Sequence, residues 1–315
     1  MTESLDDTQP DTDATGILSD TDATGIPSDT DATDILSGTD ADTFAIPSLV
    51  NLRDIGGCPS AHGGVVRTGV VFRSTDLSRV TDTDLETLDA LGVTTVFDLR
   101  ALAEQERRPD RLPAGARHVG LDVLADRENG SIAAALPEIV ADPVAAAEAF
   151  GDGRAAQYLR ESYRDFVRLP SAVASYRTFA EGVAHGGVPA LVHCSAGKDR
   201  TGWAAASLLL FAGAGEDAVF ADYLRTNDML LPQLEPLFAR FRDLGGDPEI
   251  LKPMLGVQRE YLEVAVDEAL SRYGTIDEYF AAGLGLDDDT LQALRTRLVD
   301  SERTDAASTG SRITA

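Results

Sequence analysis

An α/β fold built on a central sheet is predicted by three observations. Short, apolar, β-branched runs alternate with segments of helical period through much of the chain. The last of these runs passes through a tight loop straight into the pattern of a buried helix. From Glu216 to Leu298 everything reads as helix with short breaks, giving a helical C-terminal part.

The elements follow in order. Gly64 to Phe72 reads as a hairpin or strand region. Thr81-Asp82-Thr83-Asp84 is a capping box opening a helix from Leu85 to Leu91, because the threonine hydroxyl can accept an orphan N–H of the first turn. Gly92 ends that helix, Val93 to Leu99 is a strand, and Ala116 to Leu121 is another short one. Residues 131 to 185 read as three helices, broken near Gly151-Asp152-Gly153 and at Pro170. Val188-Pro189-Ala190-Leu191-Val192 has the character of a buried strand, and Thr201 to Leu210 that of a buried helix.

Between these two lie His193-Cys194-Ser195-Ala196-Gly197-Lys198-Asp199-Arg200-Thr201. A cysteine, five residues and then an arginine is the smallest device for cysteine-based phosphoryl transfer. So short a loop can curl until successive backbone N–H groups face one anion, with Ser195 through Thr201 as the lining. Arg200 closes the ring with a planar fork that matches two phosphate oxygens, and Cys194 sits at the bottom as nucleophile. Strand, loop and helix N-terminus place the anion at the positive end of the helix dipole. That field, with Arg200 and Lys198, favours the thiolate, which is the attacking form. Thr201 can donate its hydroxyl to the sulfur and help it leave. His193 reads as holding the loop by hydrogen bonds, with proton transfer as its alternative role. A core cysteine in an ordinary strand-to-helix turn would explain neither Gly197 nor the crowding of Lys198, Asp199 and Arg200. The loop amides and Arg200 can carry the transition-state charge without a metal or other cofactor. The four histidines, His62, His118, His185 and His193, are scattered, and no metal-ligand cluster is visible.

His193 to Gly202 resembles the loop of the microbial tyrosine phosphatases of the mycobacterial type, a family that includes atypical lipid and tyrosine phosphatases of other bacteria. Asn51-Leu52-Arg53-Asp54-Ile55-Gly56-Gly57, Val71-Phe72-Arg73-Ser74 with Leu77-Ser78-Arg79, and Val96-Phe97-Asp98-Leu99-Arg100 resemble it too. So do Ala221 to Asp228 and Gly256 to Leu262, and the likeness runs from about residue 48 to residue 300. It implies a cysteine-phosphatase-like central sheet flanked by helices. It implies activity on phosphotyrosine proteins, extending to phosphoserine and phosphothreonine, or on phosphoinositides. It also implies a helical lid, with Met229, Leu230, Leu231, Leu234, Leu237 and Phe238 as its apolar face or as ordinary core. Arg53, Asp54, Arg73, Asp98 and Arg100 read as scaffold ion pairs.

The leaving phenol or alcohol needs a proton. There is no Trp-Pro-Asp loop, and Trp203 is the only tryptophan. Three aspartates are candidates: Asp122 after a strand, Asp126 near the acid that the resemblance implies, and Asp199 inside the loop. Asp199 could instead brace Arg200 or a neighbouring amide. Lys198 adds a cation at the rim, to meet inositol ring phosphates or to support the thiolate.

Composition sets limits on partners. The net charge is −26 over 315 residues. Residues 1 to 52 hold 12 acidic residues and no Lys or Arg. Lys198 and Lys252 are the only lysines, which points to salt adaptation or to GC-rich codons. Such a surface disfavours nucleic acid and anionic membranes. Two cysteines suit a reducing compartment; Cys58 could protect an oxidised Cys194 as a disulfide, or be an incidental thiol. With no secretory signal, and an apolar run near Trp203 to Gly215 too short to span a bilayer, the expected location is cytoplasmic without membrane insertion, signal-less export staying open. A nine-residue unit, Asp11-Thr12-Asp13-Ala14-Thr15-Gly16-Ile17-Leu18-Ser19, recurs from Asp20 and Asp29. With too few glycines for a calcium-binding β-roll, it reads as a disordered acidic tail over 1–47, with a weak calcium site or a partner-binding tail as alternatives. One phosphatase domain is expected over 48–302, and a second tail over 303–315.

Overall fold

The computed structural model describes residues 46–127 and 132–302, so the acidic repeat and the last residues lie outside the described part. Five strands form the main sheet: β1 (Arg53–Asp54), β3 (Val71–Ser74), β4 (Thr95–Asp98), β5 (Arg117–Gly120) and β6 (Ala190–His193). Their order is β1-β3-β6-β4-β5, with β1 antiparallel and the rest parallel. This is the α/β class expected from sequence. In register, His193 lies opposite Ser74 of β3 on one side and Asp98 of β4 on the other. Three carboxyl ends therefore come level just before Cys194, where parallel sheets usually bind ligands.

The region from Gly64 to Phe72 does not fold back on itself as a hairpin. Val65–Val66 (β2) pairs instead with Val299–Asp300 (β7), near the other end of the domain, while β3 joins the main sheet. The first helix, α1 (Asp82–Ala90), starts three residues earlier than expected. Thr81 is indeed its cap, accepting from Asp84 N at 3.2 Å, but Asp84 spends its own carboxylate on Ser48 N at 3.1 Å instead of completing the box. After α2 (Leu102–Arg107), the segment read as three helices holds four: α3 (Ile132–Ala141), α4 (Pro143–Phe150), α5 (Arg154–Arg168) and α6 (Pro170–Ala184). The extra break is at Asp142, whose side chain caps α4 by accepting from Ala145 N at 3.0 Å, with Pro143 at the first helical position.

Helix α7 (Arg200–Phe211) leaves the loop after β6 and is buried along almost its whole length, with Trp203 fully enclosed. The helical remainder comprises α8 (Glu216–Leu230), a 3-10 turn over Leu231–Leu234, α9 (Glu235–Asp243), α10 (Lys252–Leu255), α11 (Arg259–Tyr273), α12 (Ile276–Glu278) and α13 (Asp288–Leu298). One sheet face packs on the large core formed with α5, α6, α7 and α11. The other is covered by α1 and the stretch from Ile46 to Leu52, which meet Phe72, Val96 and Leu191. Leu234 and Phe238 are buried in the large core with Leu231 and Leu237 packed against it, Leu230 is also buried, and α9 lies on α3. The suggested lid face is thus packed core in this structure.

Candidate active site

The loop after β6 is built from outside inward. Leu99 N donates to the His193 carbonyl at 2.8 Å, and Asp76 N donates to the Ser195 carbonyl at 3.2 Å. The Gly197 carbonyl accepts from Asn51 Nδ2 and from Arg73 Nη2, each at 2.9 Å. Gly197 has φ +63°, and a Cβ there would lie 2.0 Å from the Ser74 carbonyl oxygen, so only glycine lets the loop press against the end of β3. With carbonyls tied to the scaffold, the N–H groups of Ser195 to Asp199 are given to no protein acceptor among the described residues. They sit at the start of the 12-residue α7, which makes a cradle for one anion. Cys194 is 3 % exposed beneath it.

Arg200 is aimed by a residue that sequence reading missed. Its Nη1 donates to Glu104 Oε2 at 2.8 Å and to the Leu99 carbonyl at 3.2 Å, and its Nη2 reaches Glu104 Oε1 at 3.3 Å. Glu104 Oε1 also accepts from Ser195 Oγ at 2.5 Å, and Oε2 accepts from Ala101 N at 2.9 Å. Burial pushes the Glu104 carboxyl up, but the Arg200 charge and these hydrogen bonds outweigh it and bring it down to about 2. Burial pulls the Arg200 guanidinium down, while Glu104 and Cys194 push it up further, so it is held charged. The available signal was a glutamate three residues after Ala101, the position that reaches back to cap a helix start.

Behind the loop, the five expected scaffold residues do form ion pairs or braces. Arg100 holds Asp98 at 2.7 Å and Asp110 at 2.9 Å; Arg53 and Arg73 both hold Asp222 of α8 at 2.6 Å; Asp54 accepts from Gly56 N at 2.8 Å. His193 is fully buried, with Nδ1 3.2 Å from the Cys194 carbonyl oxygen and Nε2 3.1 Å from Asp110 Oδ2. Burial lowers its imidazole, but Asp110 and Asp98 raise it more, to about 9. Asp98, Asp110 and His118 come together with ligand atoms within 4.8 Å of one another. The Arg100 fork already lies across both carboxylates, so the donor set does not fit a metal ion.

The three candidate acids are placed differently. Asp122 uses both oxygens on backbone, accepting from Leu102 N at 2.9 Å and Leu124 N at 3.1 Å. Asp126 is exposed and accepts from Ser171 N at 2.7 Å, in the first turn of α6. Asp199 is within the loop, accepting from the Tyr163 hydroxyl at 3.0 Å and pairing with Lys198 at 2.7 Å. Three side-chain expectations fail. Lys198 is not at the rim: it is 6 % exposed and turned away to Asp199 and the Gly256 carbonyl. The Thr201 hydroxyl is buried and has no hydrogen-bond partner among the described residues, so it does not reach the sulfur. Cys58 lies in the segment that bonds to the carboxyl-terminal end of α7, through Ser60 Oγ to the Ala212 carbonyl. Cys194 precedes the other end, about 18 Å away along a helix of 12 residues, so no disulfide joins them.

A Cys-x5-Arg loop at the centre of a parallel sheet, closed by a buried arginine and opening a helix, defines an enzyme of the cysteine-phosphatase class. A family model described as the tyrosine phosphatase family matches residues 44–300, and the chain belongs to that family. It is 34 % identical over 248 residues to a putative tyrosine-protein phosphatase of Cupriavidus necator, covering 77 % of this chain and 84 % of that one. It is 32 % identical over 274 residues to the triple specificity protein phosphatase PtpB of Mycobacterium tuberculosis, covering 79 % and 96 %. A tyrosine-protein phosphatase of Nostoc commune is 29 % identical over 246 residues, covering 76 % and 78 %.

Proposed function

We propose that this tyrosine phosphatase works through a cysteinyl-phosphate intermediate, with broad specificity among phosphoproteins. The observation that carries it is the loop whose Ser195 and Gly197 carbonyls are bound from behind, leaving its amides beside the buried Cys194 and the Glu104-held Arg200. In the first step the Cys194 sulfur bonds to phosphorus, the phosphorus–oxygen bond to the substrate phenol breaks, and Asp199 gives its proton to the departing oxygen. In the second step Asp199 takes a proton from water, the water oxygen bonds to phosphorus, the sulfur–phosphorus bond breaks, and inorganic phosphate leaves. Arg200 and the loop amides hold the equatorial oxygens throughout. Asp199 is favoured over Asp122 and Asp126 because both oxygens of Asp122 serve backbone amides and Asp126 caps a neighbouring helix. His193, charged and wedged between Asp98 and Asp110, supports the loop.

A protein substrate is favoured over a phosphoinositide by the placement of Lys198, which is committed to Asp199 and Gly256 and leaves no lysine at the rim for ring phosphates. The triple specificity named for the Mycobacterium relative supports the broad range. The test is phosphate release from a phosphotyrosine peptide and from a phosphoinositide by wild type, Cys194→Ser and Asp199→Asn. Release from the peptide by wild type alone, with Cys194→Ser silent, is the expected result. A wild-type protein that binds phosphate yet releases none from either substrate overturns the reading.

A further inference from the structure

Asp199 stands just before α7 but does not behave as a helix cap. An aspartate there ordinarily turns its carboxylate onto a free N–H of the first turn, and Asp199 makes no such bond. Its Oδ1 accepts from the Tyr163 hydroxyl at 3.0 Å and from Lys198 Nζ at 2.9 Å, while Oδ2 meets Lys198 at 2.7 Å. The Tyr163 oxygen lies 2.6 Å from the hydroxyl of Tyr223. Both phenols are fully buried and come from different helices, α5 and α8. The Tyr163 ring is held by Phe166 and Tyr261, with centroids 5.1 and 5.8 Å away. A phenol has one proton. Because Tyr163 gives its proton to Asp199, Tyr223 must give its own to Tyr163, and the order of donors is set. Burial, followed by the charge of Asp199, pushes both phenols well above their ordinary value, so both stay protonated donors.

We propose that the Tyr163–Tyr223 pair is a positioning device for the general acid: two donors in series occupy Oδ1 of Asp199, so that its transferable proton is carried on Oδ2. This rests on the reading of Asp199 as the acid. Lys198, with a second anchor at the Gly256 carbonyl 3.3 Å away, can release Oδ2 when the proton arrives. During attack the sulfur–phosphorus bond forms, the phosphorus–oxygen bond breaks, and the Oδ2 proton passes to the phenolate oxygen. The Tyr163 proton stays where it is and stabilises the carboxylate left behind.

The test compares kcat/KM on p-nitrophenyl phosphate, whose leaving group needs little protonation, with phenyl phosphate, whose leaving group needs much. In Tyr163→Phe the loss on phenyl phosphate should exceed that on p-nitrophenyl phosphate roughly tenfold. Asp199→Asn should show the same imbalance more strongly, and the double variant should add nothing to it. Equal loss on both substrates in Tyr163→Phe, beside an unbalanced Asp199→Asn, makes Tyr163 merely structural and overturns the inference alone. A balanced loss in Asp199→Asn removes the acid assignment, and the inference with it. Tyr223→Phe, which deletes only the outer donor, should show a smaller imbalance of the same sign. Where Tyr163→Phe gives no cooperative melt, a balanced Tyr223→Phe overturns the proposal.

Discussion

Arg200 and Glu104 are both buried, so each depends on the other to justify its charge. Glu104→Ala would leave the guanidinium uncompensated in the interior, and chemical denaturation should show a loss of about 3–5 kcal/mol. Glu104→Gln keeps the shape and should fold better, yet release phosphate more slowly because Arg200 loses the partner that aims it; kcat/KM on a phosphotyrosine peptide separates the two effects. His193 gives a pH prediction. Its value is raised from 6.5 to about 9 in the folded protein, so its contribution to stability is complete below 6.5 and lost as pH rises through about 9. The melting temperature should therefore decline on that alkaline limb, and His193→Gln should flatten the decline. Cys194, Arg200 and Asp199 were legible in one contiguous run of sequence. The bonds of Glu104, Asn51 and Tyr163 to the loop were not, because each reaches it from a different part of the chain and nothing in its local pattern announces a partner up to 146 residues away.

Helix α6 lies against the sheet through Gly182, where an added Cβ would meet the Phe97 ring at 2.4 Å. Gly182→Ala should destabilise by about 1–3 kcal/mol despite alanine's better helix propensity, because the overpacked ring has to move. Asp142→Ala, at the start of α4, removes only a cap and should cost about 1 kcal/mol. Thermal melts of the two variants against wild type check both the sign and the order. Strands β4 and β6 were legible because each lies in a short, buried, largely apolar run bounded by turn residues, while β5 (Arg-His-Val-Gly) is an exposed edge strand with a weaker signal. The pairing of β2 with β7 was not, since two-residue strands carry no period and their partners are at opposite ends of the domain. The break at Asp142-Pro143 was written in plain helix-start chemistry, and the apolar run on either side of it hid the signal.

At the scale of the whole molecule the charge of −26 opposes every dianionic substrate, while the loop attracts it. The general repulsion acts over long distances and is screened by salt within about 10 Å at 0.1 M, whereas the buried Arg200 contact is screened far less. KM for a phosphotyrosine peptide should therefore fall as sodium chloride rises from low to moderate concentration, with kcat little changed; steady-state kinetics across a salt series checks it. An increase in KM over that range would mean that local attraction, not global repulsion, governs approach. The central position of β6 has a consequence for synthesis. Its neighbours β3 and β4 leave the ribosome long before it does, and until residues 190–193 emerge they face each other across an empty slot with both inner edges unpaired. The nucleophile is thus attached to the strand that fills the gap. A nascent chain gains its chemistry and loses its open, association-prone edges in the same insertion, and any product stopped short of it should be both inert and a client for chaperones.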